Sequence, residues 1–216
     1  MLKIKIAPSI LASDFSKVGE TVKKLEISGA DYVHCDVMDG NFVPPITFGA
    51  QMVQAIRPHT SLPLDCHLMV LHPESHIEDF AKAGADIITV HEEACDLSQL
   101  LRKIKACGVK ASAVVNPETP VDKLFPIVEE ADMLLLMSVR PGWGGQKFIP
   151  ETLKKIETLR GYCVKNGKPD LDIEVDGGIT EENVSDVLSA GANVIVAGST
   201  VFRAPDMAKI IARLRG

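Results

Sequence analysis

Short apolar runs alternate with amphipathic segments along the whole chain. Each run has the length of a strand, and most are nearly continuous in apolar residues, which is typical of strands that are buried on both faces of a parallel sheet. The runs predict eight strands, at residues 4–10, 32–37, 64–69, 87–91, 109–115, 133–139, 171–176 and 194–197.

Apolar residues recur at helical spacing between these strands, beginning with Phe15, Val18, Val22 and Leu25. Prolines near the predicted helix starts and glycines after the helix ends support the same division of the chain. The later helices are predicted around residues 97–104, 121–128, 153–159, 184–188 and 207–214.

A weak repeat of Gly-Ala-Asp type closes a helix and opens a strand at four places, around residues 30, 85, 131 and 192. These places lie about two strand–helix units apart, so the pattern predicts eight such units and no domain break. We therefore expect residues 1–216 to form a single domain of the α/β class, a (β/α)8 TIM barrel. The alternative is an open doubly wound sheet, which usually has fewer strands and a glycine-rich turn after the first one; that turn is missing here.

The charge balance and the cysteine content limit the possible partners and the location. The chain has 23 basic and 29 acidic residues, and it contains no block of Lys and Arg that would favour nucleic acid. No apolar run approaches the ~18 residues that a membrane span needs, and the N-terminus lacks a secretory cleavage pattern. The five cysteines include no Cys-x-x-Cys pair. We expect a cytoplasmic protein that contacts neither nucleic acid nor membrane.

Polar side chains gather at the carboxyl ends of the second, third and seventh predicted strands, where barrel enzymes carry their active sites. Strand alternation puts His34 and Asp36 on one face and places each His opposite its neighbouring cysteine, which excludes a Cys2His2 zinc site. If the His face is the interior one, His34, Asp36, His67 and Asp176 can converge at the barrel mouth. This ligand set suits Zn, Fe(II), Mn(II) or Co(II). The alternative is that each His only forms a hydrogen bond in the core.

Glycine-rich turns follow the last three predicted strands, at residues 141–146, 176–178 and 198–199. Glycines let backbone N–H groups approach a phosphate, and barrels often bind phosphate with their late loops. The turns therefore predict a phosphate site, although each could also be a tight turn into a helix.

Two further features are compatible with a catalytic mouth. Met38, Met69 and Met137 lie at strand ends, where they can be core filler or a polarizable apolar cover over a reacting carbon. The loop 41–49 can be a lid or a rigid connection.

An ordered set of short segments spans nearly the full length of the chain. They are Ile6-Ala7-Pro8-Ser9-Ile10-Leu11, Val33-His34, Asp36-Val37-Met38-Asp39-Gly40, Cys66-His67-Leu68-Met69-Val70, His91 with Glu93-Ala94, Asn116-Pro117 with Thr119-Pro120, Pro141-Gly142 with Gly144-Gly145-Gln146, Glu174-Val175-Asp176-Gly177-Gly178-Ile179 and Ala197-Gly198-Ser199. With these residues in this order, the chain resembles the ribulose-phosphate 3-epimerase family.

The resemblance implies an isomerase of the pentose phosphate pathway that interconverts D-ribulose 5-phosphate and D-xylulose 5-phosphate through an enediolate. It also implies a barrel of the ribulose-phosphate-binding type, a homo-oligomer (dimer or hexamer) and one divalent metal ion held by His34, Asp36, His67 and Asp176. Asp36 and Asp176 would be the acid/base pair. Substrate contacts are implied at Ser9, His67, Gly142, Trp143, Gly144, Gly145, Asp176, Gly177, Gly178, Gly198 and Ser199.

Two residues depart from the family pattern, since Arg140 and Pro45 stand where Asn is common. They leave open a related hexulose-phosphate 3-epimerase, for example one that acts on allulose 6-phosphate. Two other classes compete with an epimerase. A phosphosugar lyase or synthase would share the phosphate loops without needing the two-His, two-Asp set, and a non-catalytic phosphosugar sensor would bind without exchanging a proton.

Overall fold

Eight parallel strands form one sheet in the computed structural model, which describes residues 2–216. The hydrogen-bonded order is β1-β8-β7-β6-β5-β4-β3-β2. The strands are β1 (Lys5–Ala7), β2 (Val33–Met38), β3 (Leu64–Met69), β4 (Ile87–His91), β5 (Lys110–Val115), β6 (Met133–Met137), β7 (Asp172–Asp176) and β8 (Val194–Val196).

The two ends of this sheet meet. Strand β1 pairs in parallel with β8, and a single parallel bridge between Ser9 and His34 connects the chain after β1 to β2. A cyclic strand order with helices between the strands is that of a (β/α)8 barrel, so this prediction is confirmed. The doubly wound alternative is excluded because its strand order reverses at a switch point.

Helices connect successive strands around the outside of the barrel. The α-helices are α1 (Val18–Ile27), α2 (Ala50–Ile56), α3 (Ile77–Ala83), α4 (Leu97–Ala106), α5 (Thr152–Lys165), α6 (Val184–Ser189), α7 (Ser199–Phe202) and α8 (Met207–Leu214). Short 3-10 helices lie at Ile10–Ala12, Phe15–Lys17, Arg57–His59, Pro73–Ser75, Glu92–Ala94 and Val121–Ile127. None of the helices in residues 2–216 combines the length and the hydropathy that crossing a bilayer requires.

The structure differs from the predicted elements where local chemistry overrides the apolar pattern. The predicted helix at residues 121–128 is a 3-10 helix with Pro126 inside it, because proline supplies no N–H for α-helical bonding. The first strand ends at Ala7 rather than residue 10, since Ser9 caps the 3-10 helix that follows by accepting a hydrogen bond from the N–H of Leu11. Helix α3 ends at Ala83, where the repeat around residue 85 predicts the end of a helix. Helices α2 and α7 have seven and four residues and were missed.

The barrel wall separates two buried regions. Outward-facing strand residues, including Cys35 and Cys66, pack with the helices in the main hydrophobic core. Part of the barrel interior is apolar and contains Ala7, Tyr32, Ile87, Met133, Val194 and Val196. Buried polar residues on the strands are His34, Asp36, Asp65, His67, Thr89, His91, Ser112 and Glu174. Buried polar groups need partners, so this polar set marks the part of the molecule where function is to be sought.

Candidate active site

The four side chains predicted to converge do so. His34, Asp36, His67 and Asp176 each offer one ligand atom, and these atoms lie within 4.8 Å of one another. Oδ1 of Asp36 lies 3.3 Å from Nε2 of His34 and 3.2 Å from Nδ1 of His67. Nδ1 of His67 is 4.0 Å from Oδ2 of Asp176. Strands β2, β3 and β7 thus bring residues that are distant in sequence to one point.

Asp65 orients the His34 ring from the other side. In the register of β2 and β3, Asp65 lies opposite His34, and Oδ2 of Asp65 is 2.7 Å from Nδ1 of His34. Glu174 adds a second carboxyl group 3.6 Å from the same nitrogen. Burial raises the pKa of Glu174 well above its usual value, and the neighbouring Asp65 carboxylate raises it further. Of the two carboxyl groups, Asp65 is the one within hydrogen-bond distance to accept the Nδ1 proton of His34.

This arrangement fits a metal ion. When Nδ1 of His34 donates to Asp65, Nε2 is the nitrogen at which a metal ion can replace a proton, and Nε2 has no hydrogen-bond partner among residues 2–216. A buried imidazole nitrogen without a partner, next to a second imidazole and two carboxylates, is the donor set of a divalent transition metal. Metal-binding histidines commonly donate their other ring nitrogen to a carboxylate, as His34 does.

The two cluster carboxylates have opposite pKa shifts. Burial opposes ionisation of Asp36, but His34 and His67 outweigh it and hold the pKa of Asp36 well below its usual value. Burial, together with the charge of Asp36, raises the pKa of Asp176 to about 6. Burial also disfavours the charged form of His34, but Asp36 and Asp65 outweigh it and raise the pKa of that imidazole. Asp36 is therefore the stronger acid, and Asp176 is the carboxyl group that takes up a proton more readily.

An open cavity of about 550 Å³ lies directly over the cluster. Asp36 and Asp176 line it, whereas His34 and His67 are fully buried beneath it. Every other predicted substrate contact also lines the cavity: Ser9, Gly142, Trp143, Gly144, Gly145, Gly177, Gly178, Gly198 and Ser199. A small polar molecule in this cavity would meet carboxylates at its floor and glycine-rich turns at its wall.

The turn after β7 can only be built from glycine. Gly178 has a φ of +66°, and an added Cβ would lie 2.3 Å from the backbone N of Phe148. At Gly177 the φ is +123° and a Cβ would lie 2.4 Å from a side-chain carbon of Val139. Both positions therefore exclude a side chain by conformation and by contact. The result is a close approach of backbone to the cavity.

The glycine-rich wall has free hydrogen-bond donors. The backbone N–H groups of Gly178, Gly198 and Ser199 make no hydrogen bond within residues 2–216. Arg203, just after α7, lines the same cavity and forms no ion pair in that part of the chain. Arg140 lines it too, but its Nε lies 2.5 Å from Oε1 of Glu118 at the surface. Free N–H groups and one unpaired guanidinium are suited to a phosphate.

The three methionines lie where the sequence placed them. Met38, Met69 and Met137 are almost fully buried and each lines the cavity. Met38 and Met69 pack with Val43 from the loop after β2.

The loop 41–49 is held by specific contacts. Oδ1 of Asp39 accepts hydrogen bonds from the N–H groups of Asn41 and Phe42, and the hydroxyl of Thr47 donates to the carbonyl of Asp36. An antiparallel bridge also joins Asp39 and Ile46. These contacts anchor the loop to the end of β2.

Sequence reasoning missed several residues that complete the site. Neither Asp65 nor Glu174 was predicted as a site residue, although alternation puts each on the same face as the ligand two residues later. His91 and Glu93 extend the polar network beyond His67. Arg203 lines the same cavity as the glycine-rich wall. Arg203 follows the last glycine-rich turn by one short helix, and that spacing was the available signal.

The fold and the site together define a (β/α)8-barrel enzyme, whose cavity has carboxylates at its floor and glycine-rich turns at its wall. The model of the ribulose-phosphate 3-epimerase family matches residues 5–202. The chain is 54% identical to ribulose-phosphate 3-epimerase of Synechocystis sp. over 98% of its length and 93% of the relative. It is 51% identical to ribulose-phosphate 3-epimerase of Bacillus subtilis over 99% of both chains. The chain therefore belongs to the ribulose-phosphate 3-epimerase family, and its class is that of an isomerase.

Solved structures of lower sequence similarity share the fold. The crystal structure of 3-hexulose-6-phosphate synthase from Salmonella typhimurium superposes with a TM-score of 0.68 at 21% identity, covering 98% of this chain and 97% of the other. Orotidine 5'-phosphate decarboxylase from Pyrococcus horikoshii gives a TM-score of 0.71 at 15% identity, covering 97% of each chain. At these identities the likeness supports the barrel alone.

Proposed function

We propose that the protein catalyses epimerisation at C3 of D-ribulose 5-phosphate to D-xylulose 5-phosphate. The observation that carries this proposal is the pair of carboxylates, Asp36 from β2 and Asp176 from β7, at the floor of one cavity. Inversion of a carbon next to a ketone requires removal of a proton from one face and delivery of a proton to the other. Two carboxylates from well-separated strands can flank the planar enediolate that lies between these steps.

The two carboxylates divide the proton transfers. In one direction Asp36, as the anion, takes the C3 proton, and Asp176 delivers a proton to the opposite face of the same carbon. In the reverse direction their roles exchange. At the end of either reaction, each carboxyl group has the protonation state from which the opposite reaction starts. The opposite pKa shifts of Asp36 and Asp176 support this division. Because the groups are close, they titrate as a pair.

We propose that His34, Asp36, His67 and Asp176 hold one divalent metal ion, with Zn, Fe(II), Mn(II) and Co(II) as candidates. When bound, the ion supplies positive charge that polarises the ketone oxygen and stabilises the negative charge that develops on it. Asp65 keeps His34 in the tautomer that presents Nε2 to the site.

The remaining cavity residues position the sugar. Ser9 donates its hydroxyl proton to Oδ2 of Asp36 at 2.5 Å, and we propose that it also contacts a substrate hydroxyl. We assign the phosphate to the glycine-rich wall, where Gly178, Gly198 and Ser199 offer free N–H groups. Met38, Met69 and Met137 would cover the reacting carbon with apolar, polarizable surface. Fixing the phosphate at one end sets the position of C3 over the carboxylates.

Proton NMR in D2O tests the activity directly. The zinc-loaded protein is mixed with D-ribulose 5-phosphate, and the C3 proton signal and the signals of xylulose 5-phosphate are followed. We expect loss of the C3 signal together with appearance of the second sugar, and suppression of both by prior removal of the metal with a chelator.

Other outcomes distinguish the competing classes. Turnover of allulose 6-phosphate without turnover of ribulose 5-phosphate would assign the hexulose reaction. Saturable binding of ribulose 5-phosphate without any exchange at C3, with Zn, Mn(II), Fe(II) and Co(II) each supplied, would overturn the epimerase in favour of a sensor.

A further inference from the structure

A chain of hydrogen bonds runs outward from His67, away from the cavity. Nε2 of His67 lies 2.8 Å from Nε2 of His91, and Nδ1 of His91 lies 3.0 Å from Oε2 of Glu93. Both imidazoles are fully buried, and their rings stack with centroids 5.0 Å apart. Phe42 packs against the His91 ring at 4.6 Å. His91 therefore has neither freedom to rotate nor access to water.

The outer end of this chain is fixed by the loop after β5. Oε1 of Glu93 accepts hydrogen bonds from the backbone N–H of Asn116, at 2.8 Å, and from the hydroxyl of Thr119. The ammonium group of Lys155 in α5 donates to the carbonyls of Pro117 and Thr119 at 2.5 and 2.6 Å, which holds that loop in place. Burial opposes ionisation of Glu93, but these donors and His91 lower its pKa to about 2. Glu93 is thus a carboxylate that can only accept.

These contacts determine where each proton lies. Because Glu93 accepts, Nδ1 of His91 must donate. Two nitrogens that face each other at 2.8 Å share one proton, so a neutral His91 presents the lone pair of Nε2 to His67. Both rings are fully buried, which disfavours a second ring proton, and hence a charge, on His91. Nε2 of His67 must therefore donate, and Nδ1 of His67 is left to face Asp36 at 3.2 Å.

We propose that Glu93 and His91 are positioning residues, which fix His67 in the tautomer that presents Nδ1 as a metal ligand. Asp65 does the same for His34 through a direct bond, whereas His67 reaches its carboxylate through an intervening imidazole. Partners of this kind set the tautomer and the basicity of a ligand, and their loss usually weakens metal binding. The proposal rests on the metal site put forward under Proposed function.

Zinc affinity of the full chain, measured by competition with a chromophoric chelator, tests the role of His91. We expect His91→Phe, which keeps a ring but removes the acceptor, to weaken zinc binding by about 10- to 100-fold. His91→Gln should recover most of the loss, because its amide oxygen can accept from Nε2 of His67. The matched control is Thr89→Val, two residues earlier on β4 and equally buried, with a hydroxyl that has no partner within residues 2–216; its affinity should not change. Wild-type affinity in folded His91→Phe, or equal losses in the Phe and Gln variants, would overturn the proposal.

A spectroscopic measurement on the wild type does not depend on any variant folding. In the histidine-labelled, zinc-loaded protein, the scalar coupling across the N–H···N bond shows which nitrogen carries the proton. We expect the proton on Nε2 of His67, coupled to Nε2 of His91. A proton on Nε2 of His91 would contradict the proposal.

The measurements separate two outcomes, a protein without a metal site and a His67 whose tautomer is not fixed by His91. If the wild type binds no zinc, the metal site is wrong, and the same coupling measured in the metal-free protein decides the direction of the His67–His91 bond. Donation from His67 would still support the fixed tautomer, and donation from His91 would overturn it.

Discussion

Oδ2 of Asp65 lies 2.7 Å from Nδ1 of His34, and this bond makes Nε2 the nitrogen that faces the carboxylates of the cluster. Both side chains are fully buried, on adjacent strands and in direct register. A carboxylate in this position selects one tautomer of the imidazole and increases its basicity as a ligand.

Removal of this carboxylate should weaken the metal site without removing a ligand. We expect Asp65→Ala to lower zinc affinity by about 10- to 100-fold, because His34 then has no fixed tautomer. Ser112→Ala is the control, since it also shortens a buried polar side chain but one whose hydroxyl has no partner in residues 2–216. Isothermal titration with a competing chelator measures both. Equal affinity in Asp65→Ala and wild type would show that Asp65 does not act on the site.

A methyl group at Gly178 should destabilise the fold and distort the glycine-rich wall of the cavity. The left-handed conformation and the contact of 2.3 Å with the backbone of Phe148 leave no space for a Cβ. We expect Gly178→Ala to lower the free energy of unfolding by about 2–4 kcal/mol, from backbone strain and overpacking together. Gly144→Ala, in a neighbouring turn with no atom within 4 Å of the added carbon, should lie close to wild type. Urea unfolding of the two variants decides this, and equal stabilities would contradict it.

The barrel was predictable from sequence because its strands are buried on both faces. All five residues of β6 are buried and apolar, so this strand stands out as an apolar run. All six residues of β2 and of β3 are buried as well, although each of these strands contains one His and one Asp. Helix α2 was missed for the opposite reason. It has seven residues, of which only Val53 and Ile56 are buried, and two positions do not establish a period.

Strand alternation predicted which side chains of one strand share a face, but not which residues of neighbouring strands lie side by side in the cluster. Alternation placed His34 with Asp36 and separated both from Cys35, and the structure has them on the two sides of the barrel wall as expected. It could not show that Asp65 lies opposite His34, because the register between two parallel strands depends on the loops and helices between them. The contact between His67 and His91 also depends on ring orientations that only packing determines.

Two arginines at the cavity should differ in their effect on substrate binding. Arg203 has no ion pair within residues 2–216, whereas Arg140 is paired with Glu118. We expect Arg203→Met to raise KM for ribulose 5-phosphate by about tenfold with kcat little changed, since about 1.4 kcal/mol of uniform binding is lost. Arg140→Met should change KM much less. Steady-state kinetics of both variants measure the contrast, and a larger KM effect at Arg140 would place the phosphate on the other side of the cavity.

Asp31 should make stability depend on acid pH. Its Oδ2 accepts from the N–H of Ile6 at 2.9 Å and from Arg215 at 2.6 Å, and its Oδ1 lies 3.2 Å from Nζ of Lys3. Burial opposes ionisation, but these donors outweigh it and lower the pKa of Asp31 below its usual value. A folded-state pKa below the unfolded one stabilises the fold above the unfolded value of about 3.9, and this contribution is lost as the pH falls through the folded-state pKa.

The comparison of Asp31→Asn with wild type measures this contribution. At pH 7 we expect the variant to be less stable by about 1.5–3 kcal/mol, the usual range for hydrogen bonds to a charged group, and the difference should shrink as the pH falls below 4. Glu182→Gln, at an exposed carboxylate without an ion pair in residues 2–216, should show no difference at either pH. A difference between Asp31→Asn and wild type that stays constant from pH 7 to pH 2 would contradict the assignment.

In the proposed mechanism, Asp36 and Asp176 act on opposite faces of C3. Its most direct test is deuterium exchange at C3 in D2O, followed by NMR for Asp36→Asn and Asp176→Asn, each offered ribulose 5-phosphate and xylulose 5-phosphate in turn. We predict that each folded variant loses interconversion by about 10²- to 10⁴-fold. Any residual exchange should be confined to one sugar in one variant and to the other sugar in the second, because each variant keeps the carboxylate of one face. Interconversion at the wild-type rate in either variant, or residual exchange of the same sugar in both, would contradict the account.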